Sequence, residues 1–363
     1  MEIGTIIKKH RRERDMTQEQ LAEYLRVSVS AVSQWESGKT TPDLSLIPAI
    51  CNLFAISADE LLGINLEQKE KKIEEIRAEA EKYSDRGYKN EAAEILEKGL
   101  AEYPDSYDLM FDLMYARSYD AEHLDEAIRL GHAILDGCTD DEYRMSAKQV
   151  LCYAYRDKGE NQKALEIAQT LPTIHITREL FRPLLYTGNE SYRGQQNLIE
   201  TLFDMLGMRL GGMNKQLSDG TWAYTPAEMA AIRDKQLALY NILIEDGNYG
   251  FYHNRLDNIH RGQASYYAEI GDTERALQHL SAAADHAITF VVTDGAGEGK
   301  YTSLLLRGQP TGVFSTSSPD NDAQDLINFM SSPAFAFVRD TPAFTAILDK
   351  LAPVAGQWAV KEE

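Results

Sequence analysis

Two short runs of apolar residues near the start of the chain recur with the period of an α-helix and are separated by a polar turn. The first predicted helix begins after Thr17, because Thr17 and Gln20 satisfy the capping-box pattern. The second begins after Ser28, which also suits a helix N-cap. Ala22 is small enough for the two helices to cross closely, as a helix-turn-helix requires. The apolar residues that face each other across this corner are Leu21, Ala22, Leu25, Val32 and Trp35.

Three further apolar faces predict helices around this corner. One helix precedes it and two follow it, and the last of these begins with a second capping box, Ser57 with Glu60. The apolar positions on these helices are Ile3, Ile6, Ile7, Leu46, Ile47, Ile50, Leu53, Phe54, Leu61 and Leu62. The pattern therefore predicts a five-helix domain over residues 1–65.

Residues 3–63 resemble the Xre/Cro family of phage-repressor-like DNA-binding domains. The matching positions are Thr17, Gln18, Leu21, Ala22, Val27, Ser28, Val32, Trp35, Glu36, Gly38 and Pro42. The turn departs from the usual pattern, because Arg26 stands where Gly is common and the backbone becomes left-handed. Such a residue costs on the order of 1 kcal/mol or more, which the family tolerates.

The resemblance implies that the second helix of the motif enters the major groove of double-stranded DNA. The residues it assigns to base edges are Val29, Ser30, Ser33 and Gln34, and Gln34 suits a bidentate contact to adenine. The residues expected at phosphates are Gln18, Lys39, Thr40 and Arg12. Arg11 and Glu36 resemble a structural bridge between the first and third helices. The alternative for the polar residues is an ordinary solvated helix face.

Beyond Gly63 a charged helical connector at 66–80 leads into a loose repeat of 34 to 37 residues, which extends over 73–292. Each repeat places a small residue at the start of its second helix. Three of the four also have a tyrosine nine residues earlier and a glycine five residues earlier. The small residues are Ala92, Ala127, Ala164 and Ala276. The pattern resembles the tetratricopeptide repeat and predicts a helical solenoid, although it is blurred between residues 177 and 254. A general helical bundle is the alternative.

A helix-turn-helix followed by such repeats resembles the peptide-pheromone receptors and related regulators of Gram-positive bacteria. The resemblance implies that the repeat region forms a homodimer and binds a peptide or protein ligand. Tyr240, Asn241, Asn254 and Asn258 are candidate groove residues, because side-chain amides can bind both edges of a peptide backbone. The alternative is that they are ordinary polar positions on helices.

The remainder, 293–363, is predicted to be a loop followed by capping helices. Residues 301–308 suggest the start of a closing helix. Residues 308–323 suggest a loop by their Gly, Pro and Ser content. Helices are then expected at Asp322 to Met330 and at Pro342 to Leu351.

The net charge of −20 by itself argues against DNA binding, but the charge is unevenly distributed along the chain. Residues 1–63 hold seven Lys and Arg against nine Asp and Glu, so most of the acidic charge lies in the C-terminal part, away from DNA. No apolar run approaches ~20 residues and no signal-peptide pattern is visible, which favours a cytoplasmic protein without membrane contact. The scattered cysteines Cys51, Cys138 and Cys152 suggest small apolar positions in a reducing compartment.

The sequence offers little for catalysis, a cofactor or a metal. The segment at 295–302 resembles a phosphate-binding loop only faintly, because Asp294 occupies the first glycine position and Tyr301 follows Lys300. His253 and His260, like His279 and His286, are seven residues apart. Each pair lines one helix face about 10 Å apart, too far to share a metal unless two helices lie side by side.

The sequence therefore predicts an all-α, cytoplasmic, non-enzymatic transcriptional regulator that binds a DNA operator as a homodimer. The competing hypothesis is a protein-interaction scaffold in which DNA binding is secondary.

Overall fold

The computed structural model describes residues 3–63, 66–174, 177–295, 299–312 and 315–360. Within these ranges the secondary structure is α-helical, with short 3-10 turns and isolated bridges but no β-strand. The chain divides into two compact units, Met1–Ala78 and Glu79–Glu363. None of the described helices combines the length and apolar character needed to cross a membrane.

The first unit contains the five predicted helices around one core. They are α1 (Ile3–Glu13), α2 (Gln18–Leu25), α3 (Val29–Glu36), α4 (Ile47–Phe54) and α5 (Ala58–Leu62). The buried apolar side chains of the core are Ile6, Ile7, Leu21, Ala22, Leu25, Val32, Trp35, Ile47, Ile50, Phe54 and Leu61. The predicted facing residues of α2 and α3 thus meet in this core.

Side-chain caps fix where these helices begin. Thr17 and Gln20 form the complete capping box at α2, and Ser28 accepts a hydrogen bond from the Ala31 amide at 3.1 Å. Ser57 likewise accepts one from the Glu60 amide at 3.0 Å, but the Glu60 carboxylate lies 3.3 Å from His10 Nε2. Half of the second predicted capping box is therefore replaced by a contact to α1.

Arg26 adopts the left-handed backbone conformation that was expected because glycine is common at this position, with φ 55° and ψ 43°. Its amide is positioned for hydrogen bonds to the carbonyls of Ala22 and Glu23, which end α2. Arg26 thus makes the turn that sets the direction of α3, and it does so in a strained backbone conformation.

The long helix α6 (Leu66–Ser84) crosses the boundary between the units and contains the predicted connector. The helices that follow it are α7 (Lys89–Glu102), α8 (Tyr107–Arg117), α9 (Leu124–Gly137), α10 (Asp141–Asp157), α11 (Asn161–Ala168), α12 (Arg178–Leu185), α13 (Gly188–Gly211), α14 (Pro226–Leu243), α15 (Tyr252–Glu269), α16 (Thr273–Val292), α17 (Asp322–Met330) and α18 (Pro342–Leu351).

The repeat prediction corresponds to antiparallel helix pairs. The four small residues lie on α7, α9, α11 and α16, each the second helix of a pair, and Ala92, Ala127 and Ala276 are fully buried. The glycines of three pairs have φ of 82°, 78° and 74°, which only glycine adopts readily. They are Gly87, Gly159 and Gly271. The pair without a glycine instead has a 3-10 helix, Ala121–His123, immediately before its second helix. The second unit is therefore a tetratricopeptide-like helical solenoid.

Residues 301–308 do not begin a helix, so that part of the prediction is wrong. The segment folds back on itself, with the Gly308 amide bonded to the Tyr301 carbonyl at 2.8 Å. Gln196, 2% exposed, donates to the carbonyls of Leu305 and Arg307 at 3.1 and 3.2 Å. These carbonyls are satisfied from outside the segment, and burial of Tyr301 stabilises the turn. By contrast, α17 and α18 have the predicted bounds.

Candidate DNA-binding surface

The third helix of the first unit presents one buried face and one exposed face. Val32 and Trp35 are 0% and 5% exposed and anchor α3 in the core. The predicted base-contacting residues lie on the opposite face, and Val29 is 39% exposed although it is apolar. Val29, Ser30, Ser33 and Gln34 are all exposed. The structure therefore brings the four predicted base contacts together on one accessible surface.

A buried ion pair connects α1 to the end of α3, as predicted. Arg11 Nε and Nη2 donate to the two oxygens of the Glu36 carboxylate at 2.5 and 2.9 Å. Arg11 also donates to the Met16 carbonyl at 2.5 Å. Burial acts to raise the pKa of Glu36, but hydrogen bonds from Arg11 and Gln18 and the charge of Arg11 outweigh it and lower the pKa. Glu36 is therefore held as a carboxylate that fixes helix geometry.

Gln18, a predicted phosphate contact, is part of the same network. Its amide nitrogen donates to Glu36 Oε2 at 2.9 Å and the residue is half-buried. A primary amide has two hydrogens, so this bond leaves Gln18 a second donor. The backbone of Gln18 also begins α2, where helix amides favour an anion.

The segment after α3 is fixed by the carbonyl of Gln34. The amides of Lys39 and Thr40 lie 2.9 and 3.4 Å from that oxygen, and Gly38 makes the turn with φ 73°. The side chains of Lys39 and Thr40 are exposed beside the predicted base contacts.

The basic run of α1 divides into distinct environments. Arg12, the predicted phosphate contact, is exposed. Arg14 donates to the Phe54 carbonyl and its guanidinium lies 5.3 Å from the Phe54 ring centroid. Together with Arg11, it supports the fold of the first unit. Arg12 is therefore the arginine of α1 whose exposure suits an external anion.

The candidate ligand residues of the second unit have different environments, from the core to the exposed surface. Tyr240 is fully buried in a core with Tyr252 and Tyr301, because Gly207 has no side chain and leaves room for its ring. Its assignment to a groove surface is therefore wrong. Asn241 accepts from Tyr249 at 2.6 Å, and Asn258 donates to the Asn254 carbonyl at 2.8 Å. Asn254 itself donates to Asp322.

The second unit contains a cavity that was not predicted from the sequence. It lies between α8 and α10, has a volume of about 570 Å³, and combines tyrosine rings with polar side chains. Tyr119 and Tyr153 at its rim are each 48% exposed. Its lining comprises Phe111, Tyr115, Ser118, Tyr119, Ser146, Gln149, Val150, Tyr153, Arg156 and Asp157. The i, i+4 spacing of Tyr115 and Tyr119 was a visible signal, but only the packing of the helices joins them to Tyr153.

The histidines of α15 and α16 meet across the two helices. His253 Nδ1 lies 2.8 Å from His286 Nδ1, and His260 Nδ1 lies 2.9 Å from His279 Nδ1. The sequence allowed such contacts only if two helices lay side by side, and the antiparallel packing of α15 and α16 brings the histidines together in this way. The cysteines Cys51, Cys138 and Cys152 remain free thiols.

Known proteins resemble the chain in its first unit and, weakly, over more of its length. Residues 7–61 match the family described as Helix-turn-helix. The HTH-type transcriptional activator BcrR of Enterococcus faecalis is 44% identical over 63 residues, which are 17% of this chain and 31% of BcrR. The chain thus matches about a third of the length of that curated relative. The first unit contains an Xre-type helix-turn-helix domain.

A crystal structure of PlcR from Bacillus thuringiensis, in complex with the peptide PapR7 and DNA, aligns with a TM-score of 0.32. The alignment covers 81% of this chain and 95% of that chain at 14% sequence identity.

Proposed function

We propose that this protein is a transcriptional regulator that binds a double-stranded DNA operator as a homodimer. The observation that supports the proposal best is the exposed row Val29, Ser30, Ser33 and Gln34 on a helix whose other face is locked in a core. The Arg11–Glu36 pair and the cap at Ser28 fix both ends of that helix. A rigid helix with polar side chains is the element that reads base edges in the major groove.

In this proposal Gln34 supplies the most specific contact, a bidentate pair of hydrogen bonds to adenine. Val29 contacts a thymine methyl group, and the two serines add weaker polar contacts. Phosphates are bound by Gln18, Lys39, Thr40 and Arg12, which set the register of the domain without reading sequence. These two classes of contact respond differently to mutation.

Selection of random duplex DNA by the full-length protein at fixed, near-physiological salt tests operator binding. We expect an enriched inverted repeat whose half-sites lie about one DNA turn apart, or a multiple of it. Gln34→Ala should weaken binding to that repeat by about 1–3 kcal/mol for each half-site and leave binding to random DNA unchanged. The matched control is Gln162→Ala, an exposed glutamine of α11.

Equal losses on both DNAs would contradict base readout by Gln34. If the folded protein enriches no sequence, operator binding by the protein alone is contradicted and the interaction-scaffold alternative is favoured.

We infer that the second unit provides the dimer contact. Exposed apolar side chains concentrate on α12 and α13, where Leu184, Leu185, Leu202 and Leu206 are 70%, 79%, 41% and 49% exposed. An apolar surface of this kind favours burial against a partner. A second copy fits an operator with two half-sites. Leu202→Glu with Leu206→Glu should yield monomers in analytical ultracentrifugation, whereas Ile270→Glu, at a 54% exposed site, should not. Dimers of the double variant would exclude this surface.

We also infer that the tyrosine-lined cavity between α8 and α10 receives a peptide segment. Its rings and polar groups suit alternating apolar and hydrogen-bonded contacts along an extended chain. A phage-displayed peptide library selected on the full-length protein should yield binders that lose affinity for the Tyr153→Ala variant. Binders that are insensitive to Tyr153→Ala would place the peptide site elsewhere.

A further inference from the structure

Four histidines form a continuous ladder between α15 and α16. The outer pair is His253 with His286, and the inner pair is His260 with His279, each joined through facing Nδ1 atoms. The rings of His260 and His286 stack with centroids 5.6 Å apart and an interplanar angle of 15°, which links the pairs. We call this set the histidine ladder.

Aromatic rings close both ends of the histidine ladder. The Tyr249 ring meets His253 and His286 edge-on, with centroid distances of 5.5 and 5.7 Å. At the other end, Tyr267 stacks on His279 at 5.4 Å with an angle of 4°. All four histidines are only partly accessible to solvent. The ladder therefore lies in an environment that disfavours charge.

Charged groups around the ladder are few and mostly engaged elsewhere. Asp234 of α14 favours a charged His279, but it also accepts a hydrogen bond from Gln263 at 2.5 Å. Asp285 of α16 favours a charged His286 and is paired with Lys350 of α18.

The remaining neighbours do not neutralise added positive charge. Arg275 of α16 opposes charge on His279 and lies over the Tyr267 ring. The buried Asp257 of α15 is paired with Arg261, and Asp322 and Asp325 of α17 interact with the same guanidinium rather than with the ladder. The 3-10 helix Pro333–Phe335, which packs on α15, carries no charged residue.

Burial dominates the titration of all four groups. Burial, and next the charge of His286, lower the pKa of His253 to about 4. Burial, and next His279 and His286, lower the pKa of His260 to about 3. Burial also lowers the pKa of His279 and of His286, against the pull of Asp234 and Asp285. At neutral pH the ladder is therefore uncharged.

The facing Nδ1 atoms require something between them, because two bare nitrogen lone pairs repel at this separation. A proton fits, since 2.8–2.9 Å is an ordinary hydrogen-bond distance. Two nitrogens bound tetrahedrally to one zinc ion would lie about 3.3 Å apart, from metal–nitrogen distances of ~2.0–2.1 Å. In the described part of the chain, no three His, Cys, Asp or Glu side chains are grouped to hold a metal. The geometry favours a shared proton over a metal.

We propose that the histidine ladder is a proton-operated latch that holds α15 against α16 while its imidazoles are neutral and releases them when acid charges the ladder. In the closed state, one Nδ1–H of each pair donates to the bare Nδ1 of the other. The first added proton makes only one ring of a pair cationic. Once the second ring is protonated as well, both facing nitrogens are N–H donors, so the hydrogen bond is lost and two cations face each other.

The direction of the pH effect follows from linkage. The folded histidines bind fewer protons than unfolded ones, whose pKa is about 6.5. The contribution of the ladder to stability is therefore complete above about pH 6.5 and declines as the pH falls toward 4. Because α17 and α18 pack on α16, release of the latch should loosen the C-terminal core as well.

Hydrogen–deuterium exchange of the full-length protein between pH 7 and pH 4.5 tests the latch with local resolution. After correction for intrinsic exchange, amides of α15 and α16 should exchange at least about tenfold faster at pH 4.5 than at pH 7. Peptides from α8 and α9, which lack the ladder, should change much less. Uniform acceleration along the chain would mean general acid unfolding and would overturn the proposal.

The double variant His260→Gln with His286→Gln removes one histidine from each pair and retains a neutral hydrogen-bonding side chain. Its α15–α16 acceleration should move to lower pH by about one unit. His123→Gln, at a half-buried histidine bonded to Asp120, is the matched control and should leave the wild-type profile unchanged. A double variant with the wild-type profile would contradict the latch.

Two measurements on the wild-type protein do not depend on the folding of a variant. NMR titration should show the four ladder imidazoles neutral at pH 6, and ordinary titration near pH 6.5 without accelerated exchange would refute the proposal. Exchange at pH 7 should be the same with EDTA and with equimolar ZnCl₂. Selective protection of α15 and α16 by zinc would replace the proton latch with a metal site.

Discussion

At the residue scale, Glu36 determines how the proposed recognition helix is held. Its carboxylate accepts hydrogen bonds from Arg11 and Gln18, which belong to α1 and α2, while it ends α3. Its side chain is 3% exposed, so the pair with Arg11 is shielded from water. Loss of one partner would leave a buried charge without compensation.

Glu36→Gln should therefore destabilise the first unit by roughly 3 kcal/mol, near the lower end for breaking a buried pair. The pKa of Glu36 is lowered, so its contribution is present above about pH 4.5 and is lost as the pH falls further. In the variant, the free energy of unfolding should consequently no longer show the decrease at low pH that protonation of Glu36 causes. Chemical denaturation at several pH values measures both effects, and Glu23→Gln, at an exposed site of α2, is the control. A wild-type stability for Glu36→Gln would show that the pair contributes little.

Gly4 is a second residue with a defined consequence. A β-carbon at this position would lie 1.7 Å from the backbone carbonyl oxygen of Trp35. Gly4→Ala should destabilise the first unit and weaken DNA binding, even though alanine raises helix propensity by about 1 kcal/mol. Thr5→Ala, on the exposed face of the same helix, should be nearly neutral in thermal unfolding. Unchanged stability of Gly4→Ala would mean that α1 and α3 separate easily.

At the element scale, small residues decide how closely the helices of each repeat pack. Ala276 is fully buried at the start of α16, whereas Ala164 occupies the corresponding place on α11 and is only half-buried. The same sequence signal thus marks sites of different packing density. An added side chain costs more where no space remains.

Ala276→Leu should destabilise the α15–α16 pair by about 1–3 kcal/mol through overpacking, whereas Ala164→Leu should cost less. Hydrogen exchange of the two helix pairs in each variant measures the local free energies. Equal effects at both sites would show that the repeats pack equally tightly, contrary to the burial pattern.

At the scale of the whole molecule, the uneven charge of the chain sets the salt dependence of DNA binding. Arg12 and Lys39 are the exposed cations proposed to bind phosphate in each subunit. Four such contacts in a dimer give a slope of about −4 in log K against log salt, a modest value. Lys39→Gln should make this slope shallower by roughly 2, while Lys163→Gln, in the second unit, should not change it. A far steeper slope for the wild-type protein would mean that additional Lys or Arg side chains contact DNA phosphates.

The sequence by itself determined the elements with strong local chemistry. The capping residues Thr17 and Ser28 and the apolar spacing of α2 and α3 indicated the helix-turn-helix. The resemblance to a known family then assigned the candidate base contacts to α3. The bounds of α17 and α18 were also predicted from the sequence, and in the structure Asn321 and Thr341 cap these helices. Such signals act within a few residues of the chain, so no tertiary information is needed to interpret them.

Only the tertiary structure decided what depends on partners distant in sequence. Gln196 holds residues 305 and 307 in a turn through hydrogen bonds to their carbonyls. The absence of a side chain at Gly207 leaves room for the Tyr240 ring in the core. The histidine ladder and the tyrosine-lined cavity likewise join residues of different helices. Sequence periodicity gives the face on which a side chain lies, but the register between two packed helices decides which side chains meet.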